Sequence, residues 1–173
     1  MKFTDFFTIF ESLDNPYPWR NTFKTTEVID DWDETGEEYP KDVLDPVQMI
    51  HFKTEDGTPY MWYARQNRYN DKYWEIAFGL VKGQRENGEF QLDIEKTGTG
   101  NAFRIFATIM DITNSFVEFD GDNYEVQALT ISSKGNNRTS LYKKYLIPRI
   151  DGFDISHEQK NGEETEIQLS RNF

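Results

Sequence analysis

Beyond residue 46, apolar residues recur with helical spacing in two stretches of the chain and follow strand-like patterns in seven others. The first helical stretch, Asn101–Glu118, carries apolar residues over more than one face, and the second, Arg138–Ile147, ends before Pro148. The strand-like stretches are Val47–Lys53, Pro59–Arg65, Tyr73–Val81, Phe90–Lys96, Val126–Ile131, Gly152–Gln159 and Glu164–Ser170. The resulting order, ββββ-α-β-α-ββ, predicts an α+β fold with a mixed, mostly antiparallel sheet and two main helices.

Glycine-containing dipeptides predict where the strands reverse direction. Asp56-Gly57 separates the first two strands and Asn161-Gly162 separates the last two, and both dipeptides favour tight hairpin turns. We therefore expect the first four strands to form an antiparallel meander and the last two to form a hairpin.

The N-terminal residues 1–46 have a different character. Positions 3–13 place apolar residues on one helical face, which predicts a short N-terminal helix that the following prolines end. Residues 20–46 are acid-rich and contain two further prolines, which predicts an irregular acidic leader. We expect a single domain over 1–173, in which 47–173 form the sheet-helix core.

The charge of the chain is strongly negative and unevenly distributed. The net charge is −12; residues 1–60 hold 14 acidic and 5 basic residues, whereas residues 132–150 hold five basic residues and no acidic one. The overall charge argues against general nucleic-acid binding, because attraction to phosphate dominates that affinity. The acidic leader is either a solvated loop or a contact surface for a protein partner. The basic segment is either a solvated helix face or the neighbour of an anionic ligand.

Several classes of site have no support in the composition. The chain has no cysteine, which excludes disulfides and thiolate metal sites. His51 and His157 lack a third ligand at a motif spacing, so we expect no metal site. No segment approaches the roughly 20 apolar residues of a membrane helix, so we expect no membrane association. The N-terminus lacks the features of a signal peptide, which favours an intracellular protein.

The turn before the first helix is the strongest candidate for chemistry. Gly98-Thr99-Gly100 stands between a predicted strand and the helix that Asn101 caps. Glycines let the backbone approach a ligand closely, and free N–H groups at a helix start favour a phosphate. The alternative is an ordinary strand-to-helix turn, and the residues alone do not separate the two.

The strand order and this turn together resemble the GNAT-type N-acetyltransferases, in which the turn before the central helix binds the pyrophosphate of acetyl-coenzyme A. The family signature Gln/Arg-x-x-Gly-x-Gly/Ala is similar to the run that ends at Gly100, in which Glu95 takes the first position. The resemblance implies a cofactor-binding set of Gly98, Thr99, Gly100, Asn101, Ala102, Lys134, Asn136 and Arg138.

The second helix resembles the next motif of that family, in which a tyrosine protonates the departing thiolate. This likeness implies that Tyr142, six residues after Asn136, is the general acid. Glu75, Asp93 and Glu95 lie on or beside strands that would border the cleft. Any of the three could act as general base through a water molecule, and we take Glu95 as the candidate.

Residues 90–150 also resemble small proteins of tailed bacteriophages, through the segments GNAFRIFATIMDI and NRTSLYKKYL. Two functional hypotheses follow. The first is an acyl-coenzyme A-dependent N-acetyltransferase or its degenerate descendant. The second is a non-enzymatic phage protein, either a virion component or a host-factor-binding protein, that uses the scaffold and its acidic surface for binding. A phage protein would be located in the host cytoplasm or in the virion.

Overall fold

The computed structural model describes residues 14–21, 47–67, 69–84, 90–93, 102–119 and 125–172. The strands are β1 (Val47–Lys53), β2 (Pro59–Asn67), β3 (Asn70–Gln84), β4 (Phe90–Asp93), β5 (Ala128–Lys134), β6 (Phe153–Asn161) and β7 (Glu164–Arg171). The helices are α1 (Ala102–Val117) and α2 (Asn136–Leu141), and α2 continues as a π turn, Tyr142–Leu146, and a 3₁₀ turn, Ile147–Arg149. The predicted helix at 3–13 and most of the predicted leader lie outside the described residues.

The strands form one mixed sheet, which confirms the predicted α+β class. The strand order is β1-β2-β3-β5-β7-β6, and β4 also pairs with β3. Among the described pairs, only β3 and β5 run parallel, and the predicted meander and closing hairpin are both present. Gly57 and Gly162 have positive φ values of 83° and 64°, which suits the tight turns that their dipeptides predict.

One edge of β3 is shared by two different strands. Its first half, Tyr73–Ile76, pairs in parallel with β5, and its last residues, from Leu80 onward, pair in antiparallel fashion with β4. The arrangement is possible because β3 has 15 residues and spans roughly 50 Å. Between the two partners, residues Ala77–Gly79 have no described strand beside them on this edge.

Helix α1 packs on one face of the sheet and forms the core with it. The ring of Phe116 lies between two indoles, 5.4 Å from Trp62 and 5.0 Å from Trp74, both in edge-on geometry. The Trp62 Nε1–H donates to Thr113 Oγ1 on the same helix at 3.0 Å. The wide apolar surface of Asn101–Glu118 therefore predicted a buried helix correctly. We call the face of the sheet opposite α1 the far face.

The segment 14–21 adds an unexpected part of the core. Tyr17 is buried, stacks on Phe52 at 6.4 Å, and donates its backbone N–H to Thr108 Oγ1 at 2.8 Å. Nearby, Trp19 Nε1–H donates to an Asp111 carboxylate oxygen at 2.6 Å. The sequence pattern treated these residues only as a helix stop, because a contact across 91 positions leaves no local periodicity.

Two strands, β3 and β5, differ from their predictions by more than the one or two residues seen at the ends of β2, β6 and β7. The predicted strand Tyr73–Val81 is longer at both ends, because polar residues of β3 pair with β2 and β4. The predicted strand Val126–Ile131 is displaced to Ala128–Lys134, because its polar end pairs with β7. Among the described helices, none is long and apolar enough to cross a membrane.

Candidate functional site

A sharp corner joins β5 to α2. Gly135 has a φ of 84°, a conformation that favours glycine, and the helix starts at the next residue. The Gly135 N–H donates to the backbone carbonyl of Glu163 at 2.8 Å, which ties the corner to the turn of the β6–β7 hairpin. The two turns therefore form one surface at this end of the sheet.

The two turns enclose a pocket of about 480 Å³. Its lining residues are Lys134, Gly135, Asn136, Lys160, Gly162 and Glu163. Lys160 Nζ donates to Asn136 Oδ1 at 2.8 Å, so its ammonium group is held over the start of α2. The lining contains two ammonium groups and one carboxylate, a composition that favours an anionic ligand.

Buried hydroxyl groups fix the geometry of this corner. Ser133 Oγ and Thr139 Oγ1 lie 2.8 Å apart and form a buried hydrogen bond between the end of β5 and α2. The Thr139 hydroxyl also lies 3.2 Å from the Gly135 carbonyl oxygen, to which it donates. The backbone at the pocket is therefore set by contacts beneath it.

Tyr142 lies in the core and is not among the residues that line the pocket. It is only 3% exposed, with its ring 5.4 Å from Phe78 and 5.9 Å from Phe106. Burial raises the pKa of Tyr142 to about 12, although the charge of Arg138 and a hydrogen bond from it act in the opposite direction. Tyr142 is therefore neutral at physiological pH and can serve as a hydrogen-bond donor.

The structure brings together only part of the predicted site. Lys134 and Asn136 line the corner pocket, Arg138 contacts Tyr142, and Ala102 is the first residue of α1. The remaining predicted residues, Gly98, Thr99, Gly100, Asn101 and Glu95, lie outside the described residues.

The other candidate carboxylates and the histidines occupy separate places. Glu75 is exposed on β3, and Asp93 is the last described residue of β4, beside Leu80. His51 is on β1 and His157 is on β6, at opposite ends of the strand order, so they are too far apart to share one ion. Within the described ranges, no group of three metal-binding side chains comes together.

Sequence reasoning missed Lys160 as a member of the pocket. Lys160 stands 24 positions from Asn136, and the two meet only because β7 lies between β5 and β6 in the sheet. The basic residue next to the Asn161-Gly162 turn was the only sequence signal.

In comparisons with known proteins, no family model matches the chain, and the curated proteins include no match.

Proposed function

We propose that this chain is an acyl-coenzyme A-dependent protein of the N-acetyltransferase type, which binds the phosphates of the cofactor at the β5–α2 corner. The observation that supports the proposal is the pocket shared by Lys134, Asn136 and Lys160. Ammonium groups and a rigid turn are the features that bind phosphate oxygens. Of the five basic residues in the segment 132–150, Lys134 lines this pocket, and Lys160 of β6 adds a second ammonium group.

The position of the corner in the sheet also supports this ligand. Ile131 lies beside Ile76 of β3, so Lys134 lies roughly 10 Å further along the parallel strands, level with Gly79. Residues Ala77–Gly79 have no described strand on that edge. A linear chain with amide groups, such as the pantetheine arm, could pair with the backbone there as an added strand does.

If transfer occurs, the acceptor amine attacks the thioester carbonyl, a C–N bond forms, the C–S bond breaks, and the proton lost by nitrogen replaces the acyl group on sulfur. With a pKa of about 12, Tyr142 would give its proton to a thiolate at a cost of roughly 5 kcal/mol, because a free thiol has a pKa of about 8.5. We therefore assign Tyr142 a packing and hydrogen-bonding role. Glu95, acting through water, is the proposed base.

A second candidate is a non-enzymatic phage protein on the same scaffold. The observation that favours it is the burial of Tyr142 between Phe78 and Phe106, which is typical of a core residue. In this case the acid-rich residues 20–46 would contact a protein partner, either in the virion or in the host cytoplasm.

Calorimetric titration with acetyl-coenzyme A tests the proposed binding. The double variant Lys134→Ala/Lys160→Ala should weaken binding at least about tenfold, since it removes two ammonium groups that would bind phosphate. The control Lys72→Ala/Lys143→Ala changes the net charge equally but removes lysines paired with Glu125 and Glu158, and it should bind normally.

The enzyme and binding-protein hypotheses diverge in a second assay, the release of free thiol from acetyl-coenzyme A in the presence of amines. Binding with amine-dependent thiol release supports the transferase. Binding without release supports a degenerate descendant. No heat of binding and no thermal shift at millimolar cofactor would exclude both forms of the proposal and leave the non-enzymatic phage protein.

A further inference from the structure

The far face of the sheet carries a second cleft, which extends from the β2–β3 turn to Ser132 of β5. Its volume is about 630 Å³, within the range of ligand pockets. The lining includes Arg65, Tyr69, Tyr73, Glu75, Thr130 and Gln168. None of the residues that line this cleft lines the corner pocket, although Ser132 of the cleft and Lys134 of the pocket lie two positions apart on β5.

A row of polar side chains forms the floor of this cleft, because the strand register places them side by side. Arg65 of β2 pairs with Glu75 of β3, Glu75 pairs with Thr130 of β5, and Thr130 pairs with Gln168 of β7. Neighbouring strands are about 4.8 Å apart, so the row extends roughly 15 Å across the sheet. Hydrogen-bonding groups are therefore spaced along a nearly flat surface.

Two tyrosines stand beside this row. Tyr69 is 90% exposed in the β2–β3 turn, and Tyr73, two residues before Glu75 on β3, is 40% exposed. The turn itself is well tied, because the Tyr69 N–H donates to Asn67 Oδ1 at 2.9 Å and Gln66 Nε2–H donates to the Asp71 carbonyl at 2.7 Å. The cleft thus presents aromatic rings to solvent on a backbone that is held in place.

The charges in the cleft are mixed. The lining holds one guanidinium group, on Arg65, and two carboxylates, on Glu75 and Glu166, which disfavours a polyanion such as the one proposed for the corner. Charges of both signs act on the neighbouring Tyr63. Burial is the main cause that raises the pKa of Tyr63, the negative charge of Glu75 raises it further, and the positive charge of Arg65 lowers it. A ligand here gains little from carrying a charge.

We propose that this cleft binds a neutral saccharide, with sugar rings stacked on Tyr69 and Tyr73 and sugar hydroxyls bonded to the polar row. A pyranose ring has an apolar C–H face that suits an aromatic ring and a rim of hydroxyls that suits planar donors and acceptors. Arg, Glu and Gln side chains provide those donors and acceptors in fixed planes. The length of the row fits a short oligosaccharide better than a single sugar.

Titration calorimetry with maltohexaose, cellohexaose and chitohexaose, and with adenosine as a stacking ligand of another class, tests the proposal on the full chain. At least one hexasaccharide should bind with a Kd of about 1 mM or below. Tyr73→Ala should weaken that binding about tenfold, Tyr73→Phe should keep it, and Leu141→Ala, an exposed residue on α2, should not change it. Because the ligand is neutral, added salt should change affinity less than about threefold.

The proposal is overturned if none of the three hexasaccharides binds at about 10 mM. It is also overturned if adenosine binds more tightly than every saccharide, or if salt abolishes the binding. Equal affinities for Tyr73→Ala and the unmodified protein would place the sugar elsewhere. The retained affinity of Tyr73→Phe, together with an unchanged melting temperature for Tyr73→Ala, separates loss of the ring from misfolding.

Discussion

Replacing Phe116 with alanine perturbs the packing of α1 on the sheet most directly. Phe116 is 1% exposed, and its ring meets Trp62 and Trp74 edge-on at centroid distances of 5.4 and 5.0 Å. The two indoles belong to β2 and β3, so the phenyl ring joins the helix to the centre of the sheet. Alanine would leave a cavity that neither rigid indole can readily fill.

The magnitude follows from that geometry. Truncating a buried phenylalanine costs about 3–5 kcal/mol, and each edge-on aromatic pair contributes about 0.5–1.5 kcal/mol beyond its buried area. Because the substitution removes both edge-on pairs, we expect the upper part of the range, about 4–5 kcal/mol. For a chain of this size, the melting temperature should fall by roughly 10–15 °C.

Urea unfolding followed by tryptophan fluorescence measures the destabilisation, since Trp62 and Trp74 both pack against the truncated ring. Met49→Ala is the control: Met49 is 47% exposed on β1, and its truncation should cost under about 1 kcal/mol. A destabilisation below about 1 kcal/mol for Phe116→Ala would contradict the packing of α1 on the sheet.

Three other predictions concern single contacts. The pKa of Tyr142 rises from 10.0 in the unfolded chain to about 12 in the folded protein. The neutral side chain therefore contributes fully to the free energy of unfolding below pH 10, and this contribution is lost as the pH rises to 12. Urea melts at pH 9 and 11.5 should therefore show about 2 kcal/mol more loss of stability for the unmodified protein than for Tyr142→Phe; equal losses would contradict this. Thr139→Val removes the partner of Ser133 and should cost about 1–3 kcal/mol in the same assay, whereas an unchanged stability would mean that the buried hydrogen bond is absent. Arg104 lies 4.2 Å above the Tyr17 ring and also contacts the Asn15 carbonyl and the Glu55 carboxylate, so Arg104→Ala should cost about 1 kcal/mol or more, and an unchanged melt would show that none of these contacts stabilises the fold.

The sequence patterns predicted regular elements well where one physical cause dominated. Asn101–Glu118 was predicted as a helix from its apolar spacing, and α1 covers Ala102–Val117. Val47–Lys53 matches β1 at both ends. These elements bury a continuous apolar surface, and that requirement alone shapes their sequences.

Features that depend on distant partners could not be predicted in the same way. The polar end of β5 becomes strand only because β7 pairs with it, and β3 is extended by β2 and β4. The helical stretch after Asn136 was predicted, but its π turn over Tyr142–Leu146 was not, since the local spacing is compatible with either helical form.

The sequence predicted only part of the candidate site, because the rest of the site depends on residues that are distant in the chain. Lys134 and Asn136 were selected from the basic segment and from the resemblance to the N-acetyltransferases, and both stand beside Gly135 in the chain. Lys160 joins them through the strand order β5-β7-β6, which no local pattern contains. Tyr142 had the residue type of a proton donor, but only its packing against Phe78 and Phe106 reveals that it is enclosed.

Amide NMR of isotope-labelled protein during a titration with coenzyme A tests the central claim most directly. We predict that the backbone amides of Gly135, Asn136 and Gly162 shift in proportion to bound cofactor, while those of Thr130 and Gln168 on the far face stay unchanged. Lys134→Ala/Lys160→Ala should remove the shifts at the same cofactor concentration. Shifts confined to residues away from the β5–α2 corner, or no shifts at millimolar coenzyme A, would contradict the account.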